Sequence, residues 1–455
     1  MRVLLVNPRP TVWNPPRVPP LGIGYLASAL EAAGHRVGIW DAVVDRRTPD
    51  LADWQVVGAT AVTPQVREAW RVLERAKAAG AITVIGGPHP TCLPDESITH
   101  PFVDYVVRKE GEETLPALLR RVDHRETPEG VAGVTWKRPD GRIVHEPDAP
   151  PIDALDAIRF PAYHLLPPLD RYTNAQPLLS RRAPCLPILT SRGCPYGCAF
   201  CYKGTFGRSF RSRSPESVAT EWEWLVREHK AREIAVQDDV FNLDIPRATA
   251  ICREIVRRGV VVPWSTPNGL RADRVTPELL DAMRESGCER VAFGVETGDQ
   301  GLLDALGKNE TLDQIREAFS LARRARLRTM AFFVIGQEGE TEATIESSIR
   351  FAIELKPTWA QFTMATPYPG TRFRDDAMRD GRLLIEDWDA YGHYTSTPFV
   401  RPRELAPEAV ERGMRRAYRR FYLRVPFLAS FALRAGSWRN LGAAIRGAWH
   451  LMGRA

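Results

Sequence analysis

Three cysteines stand within eight residues of this 455-residue chain, at Cys194, Cys198 and Cys201. Thiolates so close together are suited to a single iron–sulfur cluster, and three of them leave one iron of a four-iron cluster open to a further ligand. A structural zinc site is the alternative, but it takes a fourth soft ligand, and Cys185 and His229 are the nearest candidates. Free thiols crowded by chance are less favoured still. The spacing therefore predicts an iron–sulfur centre.

The composition of the chain is that of a globular protein with several domains. Hydrophobic residues make up 44% and charged residues 26%, and the length suits two or three domains at about 100 to 200 residues each. Seven cysteines, three of them clustered, do not form a secreted disulfide framework. No apolar run has the length of a signal peptide or a membrane-spanning helix. We therefore expect a cytoplasmic protein.

The elements that would position a site begin with an alternation of short β-branched runs and helical patterns over the first 125 residues. Strands are predicted at 2–6, 36–41, 56–62, 82–87 and 105–107, with helices at 21–33, 65–79 and 112–122. This pattern is typical of an α/β domain with a doubly wound, flavodoxin-like parallel sheet. Ligands of such sheets bind beyond the carboxyl ends of the strands. No G-x-G-x-x-G motif is present, so an ordinary dinucleotide site is not expected.

A second group of strands follows a connector. Asp140-Gly141 predicts a hairpin that closes the first domain, residues 1–146. The proline-rich segment 147–187 is typical of a linker lying on a surface. Between residues 188 and 400, six strands near 188–190, 233–236, 262–265, 290–294, 329–335 and 359–363 alternate with helices. They predict a partial (β/α)6 barrel of TIM type, with its chemistry at the strand carboxyl ends and the cysteines after the first strand.

The cysteine segment, residues 191–202, resembles the signature of radical S-adenosylmethionine (radical SAM) enzymes. Its C-x3-C-x2-C spacing and the aromatic Phe200 before the last cysteine carry the resemblance. It implies that Cys194, Cys198 and Cys201 hold a 4Fe-4S cluster whose open iron binds S-adenosylmethionine. In that family, one electron cleaves the sulfonium to methionine and a 5′-deoxyadenosyl radical, which abstracts hydrogen from an unactivated carbon.

The resemblance extends to the ends of later strands. It implies an acceptor for the ammonium of S-adenosylmethionine at Asp238 or Asp239, with solvated loop acids as the alternative, and a ribose acceptor at Glu296. Lys308 is expected either to pair with a carboxylate or to be a plain surface lysine. Gly336 opens a Gly-Gln-Glu-Gly-Glu-Thr segment that differs from the Gly-Leu-Pro-Gly-Glu-Thr of relatives and is expected on the adenine side.

The first domain resembles the cobalamin-binding domain of the cobalamin-dependent radical SAM class. Motifs at residues 6–8, 19–26, 86–91 and 110–113 carry this resemblance. No Asp-x-His-x-x-Gly motif is present, so residues 9–18 are expected to cover the cobalt face, and His89 has an ordinary strand-end residue as its alternative. The predicted cobalamin-binding residues are Asn7, Leu21, Gly22, Thr60, Gly86, Gly87, His89, Glu110 and Gly111.

The two resemblances together imply methylation of an unactivated carbon in a small natural-product or lipid-like molecule, with a flavodoxin or ferredoxin as reductant. Ring formation or contraction without methyl transfer is the first alternative. A radical enzyme without cobalamin and a non-catalytic cobalamin-binding protein are the others. The intact cysteine triad argues against the last of these, because a sensor has no use for an open iron.

The net charge of +6 is concentrated at the C-terminus. Residues 401–455 contain twelve arginines and three acidic residues, a net charge of +9, which leaves −3 for the preceding 400 residues. The main part of the chain is therefore not a nucleic-acid-binding surface by charge. The tail, interrupted by Pro426, predicts at least two helices. They cap the barrel, form a basic amphipathic surface that meets anionic lipid at the membrane or gives access to an apolar or anionic substrate, or present an arginine-rich face to a protein or nucleic-acid partner.

Overall fold

Two mainly parallel β-sheets, one in each half of the chain, organise the structure. It is a computed structural model that describes residues 1–10, 17–173, 182–391 and 397–429. The predicted α/β architecture, a flavodoxin-like sheet followed by a partial barrel and a helical tail, is confirmed.

The first sheet has seven strands in the order β2-β1-β3-β4-β5-β6-β7. Its strands are β1 (Arg2–Asn7), β2 (Arg36–Asp41), β3 (Val56–Thr60), β4 (Ile82–Gly86), β5 (Tyr105–Val107), β6 (Val134–Lys137) and β7 (Ile143–His145). The first five are parallel, and β6 and β7 form the predicted antiparallel hairpin. The order β2-β1-β3-β4-β5 is that of a flavodoxin-like sheet.

Helices cover both faces of this sheet because its strands are apolar on both sides. Val3 and Leu5 of β1 pack in one core, and Leu4 and Val6 pack in the other. This is the pattern of a buried parallel sheet. The helices of this half are α1 (Leu21–Ala32), α2 (Val66–Ala78), α3 (Pro88–Cys92), α4 (Pro94–Ile98) and α5 (Gly111–Asp123).

The proline-rich connector contacts both halves of the chain. Its Ala162 amide donates to the Gly24 carbonyl of α1 at 3.0 Å. Tyr163 is buried and donates to the carbonyl of Pro187 at 2.8 Å, and Tyr172 donates to Asp41 at the end of β2 at 2.9 Å. Residues 174–181 of the connector lie outside the described residues.

The second sheet contains six parallel strands in the order β8-β11-β12-β13-β14-β15, the predicted partial barrel. These strands are β8 (Cys185–Ile188), β11 (Glu233–Val236), β12 (Trp264–Leu270), β13 (Cys288–Glu296), β14 (Arg328–Ile335) and β15 (Trp359–Met364), and a short ribbon joins β9 (Ser191–Arg192) to β10 (Arg211–Ser212). The helices here are α6 (Pro215–Arg227), α7 (Ile245–Arg257), α8 (Pro277–Glu285), α9 (Gln300–Ala305), α10 (Leu312–Arg324), α11 (Glu342–Leu355) and α12 (Arg372–Arg379).

Three barrel strands depart from their predicted limits by two residues or more, and one of them, β13, extends two residues past each predicted end. The first begins at Cys185, about three residues early, so the connector ends sooner than its proline content suggested. The third runs to Leu270, because irregular register against β13 extends the pairing past Ser265.

The first part of the tail is a helix, α13 (Pro407–Tyr422), that packs against α11 and β15. Tyr418 donates to the Phe362 carbonyl at 2.8 Å, and Tyr422 donates to the Ala360 carbonyl at 2.5 Å. The expected helical cap is therefore observed over this helix, whereas residues 430–455 lie outside the described residues. Within the described part of the chain, every helix is too short or too polar to cross a membrane.

Candidate active site

A cavity of about 410 Å³ lies between the carboxyl edge of the first sheet and the start of the barrel. Six of the nine predicted cobalamin-binding residues line it: Gly22, Thr60, Gly86, Gly87, Glu110 and Gly111. Barrel residues line the opposite wall: Leu189, Arg192, Tyr202, Lys203, Thr205, Phe206, Gly207 and Asp239. Both halves of the chain therefore contribute to one site.

Gly87 forms a tight approach in the cavity wall after β4. Its φ of +100° lies in the region that favours glycine. A Cβ atom there would lie 2.8 Å from Thr60 Oγ1 and 2.9 Å from the Ala61 nitrogen and oxygen. The glycine therefore lets two strand ends meet without a side chain between them.

Three of the predicted cobalamin-binding residues do not line this cavity. His89 is only 1% exposed, with Nε2 3.0 Å from Glu96 Oε2 and Nδ1 3.3 Å from Thr63 Oγ1. The Asn7 amide donates to Asp41 at 2.9 Å. Leu21, the first residue of α1, packs against the hydrophobic core. The structure therefore favours the alternative for His89, an ordinary residue after a strand end, over a contact with cobalamin. Residues 11–16 of the segment expected over the cobalt face lie outside the described residues.

The cysteine-bearing loop, residues 193–210, is held at both ends and along its length. The β9–β10 ribbon joins its two ends. Arg271 stacks on the ring of Tyr196, with 3.4 Å from the guanidinium carbon to the ring centroid. Ala199 donates to the Leu306 carbonyl at 2.9 Å and accepts from the Phe373 amide at 3.1 Å. The loop is thus attached to segments that follow β12, β13 and β15.

The three cysteines of this loop are free thiols in a partly buried setting. Burial raises the pKa of Cys198 and of Cys201, and the Cys201 pKa is also raised by the neighbouring Cys194. Among the described residues, no three His, Cys, Asp or Glu side chains converge tightly enough to hold a metal ion. Thiols are nonetheless the donors that iron–sulfur clusters take, and all three lie on one loop with its ends tied together. The residues therefore fit the cluster by donor type and by their common place on this loop, where Phe200 is half-buried.

The two acids after β11 have different surroundings. Asp238 is 2% exposed and accepts from the Thr190 amide at 2.6 Å, from the Thr190 hydroxyl and from Ser191 Oγ at 2.7 Å. It therefore fastens the start of the cysteine segment, a role that differs from the expected ligand contact. Asp239 is exposed, lines the cavity and accepts from the Gly193 amide at 3.2 Å.

Glu296 and Lys308 form a buried ion pair at the end of β13. Lys308 Nζ lies 2.8 Å from Glu296 Oε1, and the lysine is 7% exposed. The expectation that Lys308 pairs with a carboxylate is therefore confirmed, and a plain surface lysine is excluded. Gly336, after β14, donates through its amide to Glu340, a buried residue whose pKa is raised to about 7 by burial.

Sequence reasoning missed the arginines that join the two halves beside the cavity. Arg192 and Arg211 both contact Glu110 of the first domain, and Arg192 also contacts Glu112. Neither arginine belongs to a motif that the sequence alone would identify. The one available signal was that both flank the cysteine-bearing loop.

Comparison with known proteins agrees with this architecture. Residues 188–352 match the Radical SAM superfamily, and residues 15–119 match the B12 binding domain. An uncharacterized methyltransferase of Pyrococcus horikoshii is 35% identical over 440 residues, which cover 93% of each chain. The anaerobic magnesium-protoporphyrin IX monomethyl ester cyclase of Rubrivivax gelatinosus is 31% identical, with 90% of this chain and 75% of that one covered.

A solved structure shares the same fold. It is the radical S-adenosylmethionine methyltransferase TsrM of Kitasatospora setae with cobalamin and a [4Fe-4S] cluster bound, at a TM-score of 0.71 and 22% identity, with 91% of this chain and 85% of that one covered. The fold, the cysteine-bearing loop and these relatives together define a two-domain enzyme. This chain belongs to the cobalamin-dependent radical SAM enzymes, and its cofactors are a 4Fe-4S cluster, S-adenosylmethionine and cobalamin.

Proposed function

We propose that this enzyme transfers a methyl group to an unactivated carbon of a small natural-product or lipid-like molecule. The supporting observation is the cavity of about 410 Å³ that the predicted cobalamin-binding residues share with the cysteine-bearing loop. When bound, the cluster and S-adenosylmethionine supply a hydrogen-abstracting radical, and cobalamin supplies a methyl group. The 35% identity to an uncharacterized methyltransferase supports methyl transfer.

Residues of the barrel half would hold the cluster and S-adenosylmethionine, and residues of the first domain would hold cobalamin. Cys194, Cys198 and Cys201 would hold the cluster through their thiolates. The Glu296 carboxylate, oriented by Lys308, would accept hydrogen bonds from the ribose of S-adenosylmethionine. Asp239 is the exposed carboxylate available to its ammonium group.

The opposite wall would receive cobalamin. Gly22, Gly86, Gly87 and Gly111 line the cavity, and at Gly22 no atom lies within 4 Å of the place a Cβ would occupy, so a large planar ligand can approach the backbone there closely. Thr60 adds a hydroxyl at the same strand edge. His89 would not ligate the cobalt, because Thr63 and Glu96 enclose its ring.

Ring formation without methyl transfer is the second candidate. The 31% identity to an anaerobic magnesium-protoporphyrin IX monomethyl ester cyclase over 90% of this chain favours it. Anaerobic reconstitution with cobalamin and S-adenosylmethionine, followed by mass spectrometry of candidate substrates, separates the two. A mass gain of one methylene supports the methyltransferase, a mass change without added carbon supports the cyclase, and no S-adenosylmethionine cleavage by the loaded, reduced enzyme contradicts both.

Two partners complete the proposal. A flavodoxin or ferredoxin would supply the electron that reduces the cluster. The basic tail would meet anionic lipid at a membrane surface, because exposed Leu423, Val425 and Leu428 adjoin Arg424 directly after α13.

A further inference from the structure

Two arginines at the ends of the cysteine-bearing loop meet one carboxylate of the first domain. Arg192 and Arg211 are register partners across the β9–β10 ribbon, so they lie side by side where the loop leaves and returns. Glu110, at the start of α5, accepts through Oε2 from Arg192 Nη1 at 3.2 Å and from Arg211 Nη1 at 3.1 Å. Its Oε1 accepts from Arg211 Nη2. One side chain of the first domain therefore holds both ends of the loop.

This network is enclosed and balanced in charge. Arg192 also donates from Nη2 to Glu112 Oε1 at 2.6 Å, so two guanidinium groups face two carboxylates. The exposed fraction is 4% for the Arg192 and Glu110 side chains and 6% for Arg211. The Arg192 guanidinium lies 5.1 Å from the Phe206 ring centroid and 5.4 Å from that of Tyr25.

The geometry of the network constrains direction as well as distance. Guanidinium groups donate in a fixed planar fork, so the two-point contact of Arg211 with Glu110 resists rotation of one domain against the other. The interdomain contact from Trp388 to Glu96 at 2.6 Å involves a segment after the barrel. The Glu110 network instead attaches to the loop that carries the cysteines.

We propose that Glu110, Arg192 and Arg211 are positioning residues that fix the cysteine-bearing loop against the first domain and thereby set the separation of the iron–sulfur cluster from cobalamin. The inference rests on the proposed function, since it requires both cofactors in one chain. Burying two ion pairs gives little net stability compared with apolar packing, so a role in fixing geometry accounts for them better than a role in stability.

The separation of two paramagnetic centres tests this directly. The full-length protein, loaded with cluster and cobalamin, would be poised with a reduced cluster and Co(II), and their dipolar coupling would be measured by pulsed electron paramagnetic resonance. We expect a narrow distance distribution in the wild type and a shifted or broadened one in Glu110→Gln and Arg211→Lys. Iron content and corrin absorbance would be measured in each variant. Because Glu110 is itself among the predicted cobalamin-binding residues, Arg211→Lys decides alone should Glu110→Gln lose its corrin.

A matched control removes a buried carboxylate elsewhere. Glu233, 1% exposed, pairs with Arg290 at the first residue of β11, and Glu233→Gln should leave the distribution unchanged. Unchanged distributions in both network variants would overturn the inference. Should Glu110→Gln fail to fold, Arg211→Lys, which keeps the charge but loses the fork, decides alone. A wild-type protein that retains only one of the two centres would instead contradict the proposed function.

Discussion

Lys308 Nζ lies 2.8 Å from Glu296 Oε1 and 2.6 Å from the Gly294 carbonyl, so one ammonium group binds the end of β13 twice. Glu296 has a φ of 66°, a left-handed conformation that is costly for a residue with a side chain. Such strain persists where the surroundings enforce it, and it is common at functional sites. The lysine therefore holds the glutamate in its left-handed conformation at the end of β13.

Replacing this lysine should both destabilise the protein and weaken its ligand. Lys308→Met leaves the Glu296 carboxylate buried without its partner, so we expect the free energy of unfolding to fall by about 3 to 5 kcal/mol. Calorimetric titration of the cluster-loaded variant with S-adenosylmethionine should show a higher Kd. Lys356→Met, at an exposed helix end, is the control and should change stability by less than about 0.5 kcal/mol. An unchanged Kd would argue against a ligand role for Glu296.

Removing one thiol of the triad should separate the two cofactors. Cys198→Ala should lose cluster loading and 5′-deoxyadenosine formation while cobalamin remains bound, because cobalamin contacts are predicted on the other wall. Iron content, corrin absorbance and chromatography of the cleavage products measure the three quantities. Cys252→Ala, a buried thiol on α7, should keep its cluster. Retained cleavage in Cys198→Ala would falsify the assignment of the cluster ligands.

The sequence predicted what depends on local pattern. Alternating apolar runs predicted the strands of both sheets, because buried parallel strands have near-continuous hydrophobic sequences. The cysteine spacing identified the loop, and glycines at strand ends identified the cavity wall through Gly86 and Gly87. Each of these features depends on residues that are close together in the sequence, so a single sequence is enough to predict it.

What the sequence did not predict depends on contacts between distant segments. His89 was expected near cobalamin, but Glu96 and Trp388 enclose it, and Trp388 is 299 positions further along the chain. The Asp238 carboxylate accepts hydrogen bonds from Thr190 and Ser191, which follow β8, so these bonds occupy the group expected to bind the ligand. Such pairings follow from how the two domains and the barrel strands are placed, and residue type alone does not reveal them.

Filling the cavity from its helical wall should block cobalamin without disturbing the fold. Gly22 lies on α1, lines the cavity and has no atom within 4 Å of the place a Cβ would occupy. Gly22→Leu should lose corrin binding, judged by absorbance after desalting, and should gain up to about 1 kcal/mol of helix stability. Ala78→Leu adds the same side chain on an exposed part of α2 and should retain the corrin. Equal retention by both variants would exclude this cavity as the cobalamin site.

Glu340 should make stability depend on pH. Burial raises its pKa from 4.5 to about 7, so between these values the folded protein holds a proton that the unfolded chain releases. Stability therefore falls as the pH rises from about 4.5 to about 7, by about 3 kcal/mol from this group. Glu340→Gln cannot ionise, so its unfolding midpoint relative to the wild type should be higher at pH 8 than at pH 5. A difference that is the same at both pH values would mean that Glu340 titrates normally.

The tail should bind anionic membranes through residues that follow α13. The segment 423–455 contains five arginines and no acidic residue, and Val425 is 77% exposed. Each arginine near an anionic surface contributes about 1 kcal/mol of attraction, which salt screens. A cut after Tyr422 is the suitable truncation, because a longer deletion removes Phe421, which is fully buried against the barrel. The full chain should sediment with phosphatidylserine vesicles at low salt and not with phosphatidylcholine vesicles, and the truncated chain should sediment with neither. Binding that survives the truncation would assign membrane contact to another surface, and binding that survives high salt would exclude the arginines as its cause.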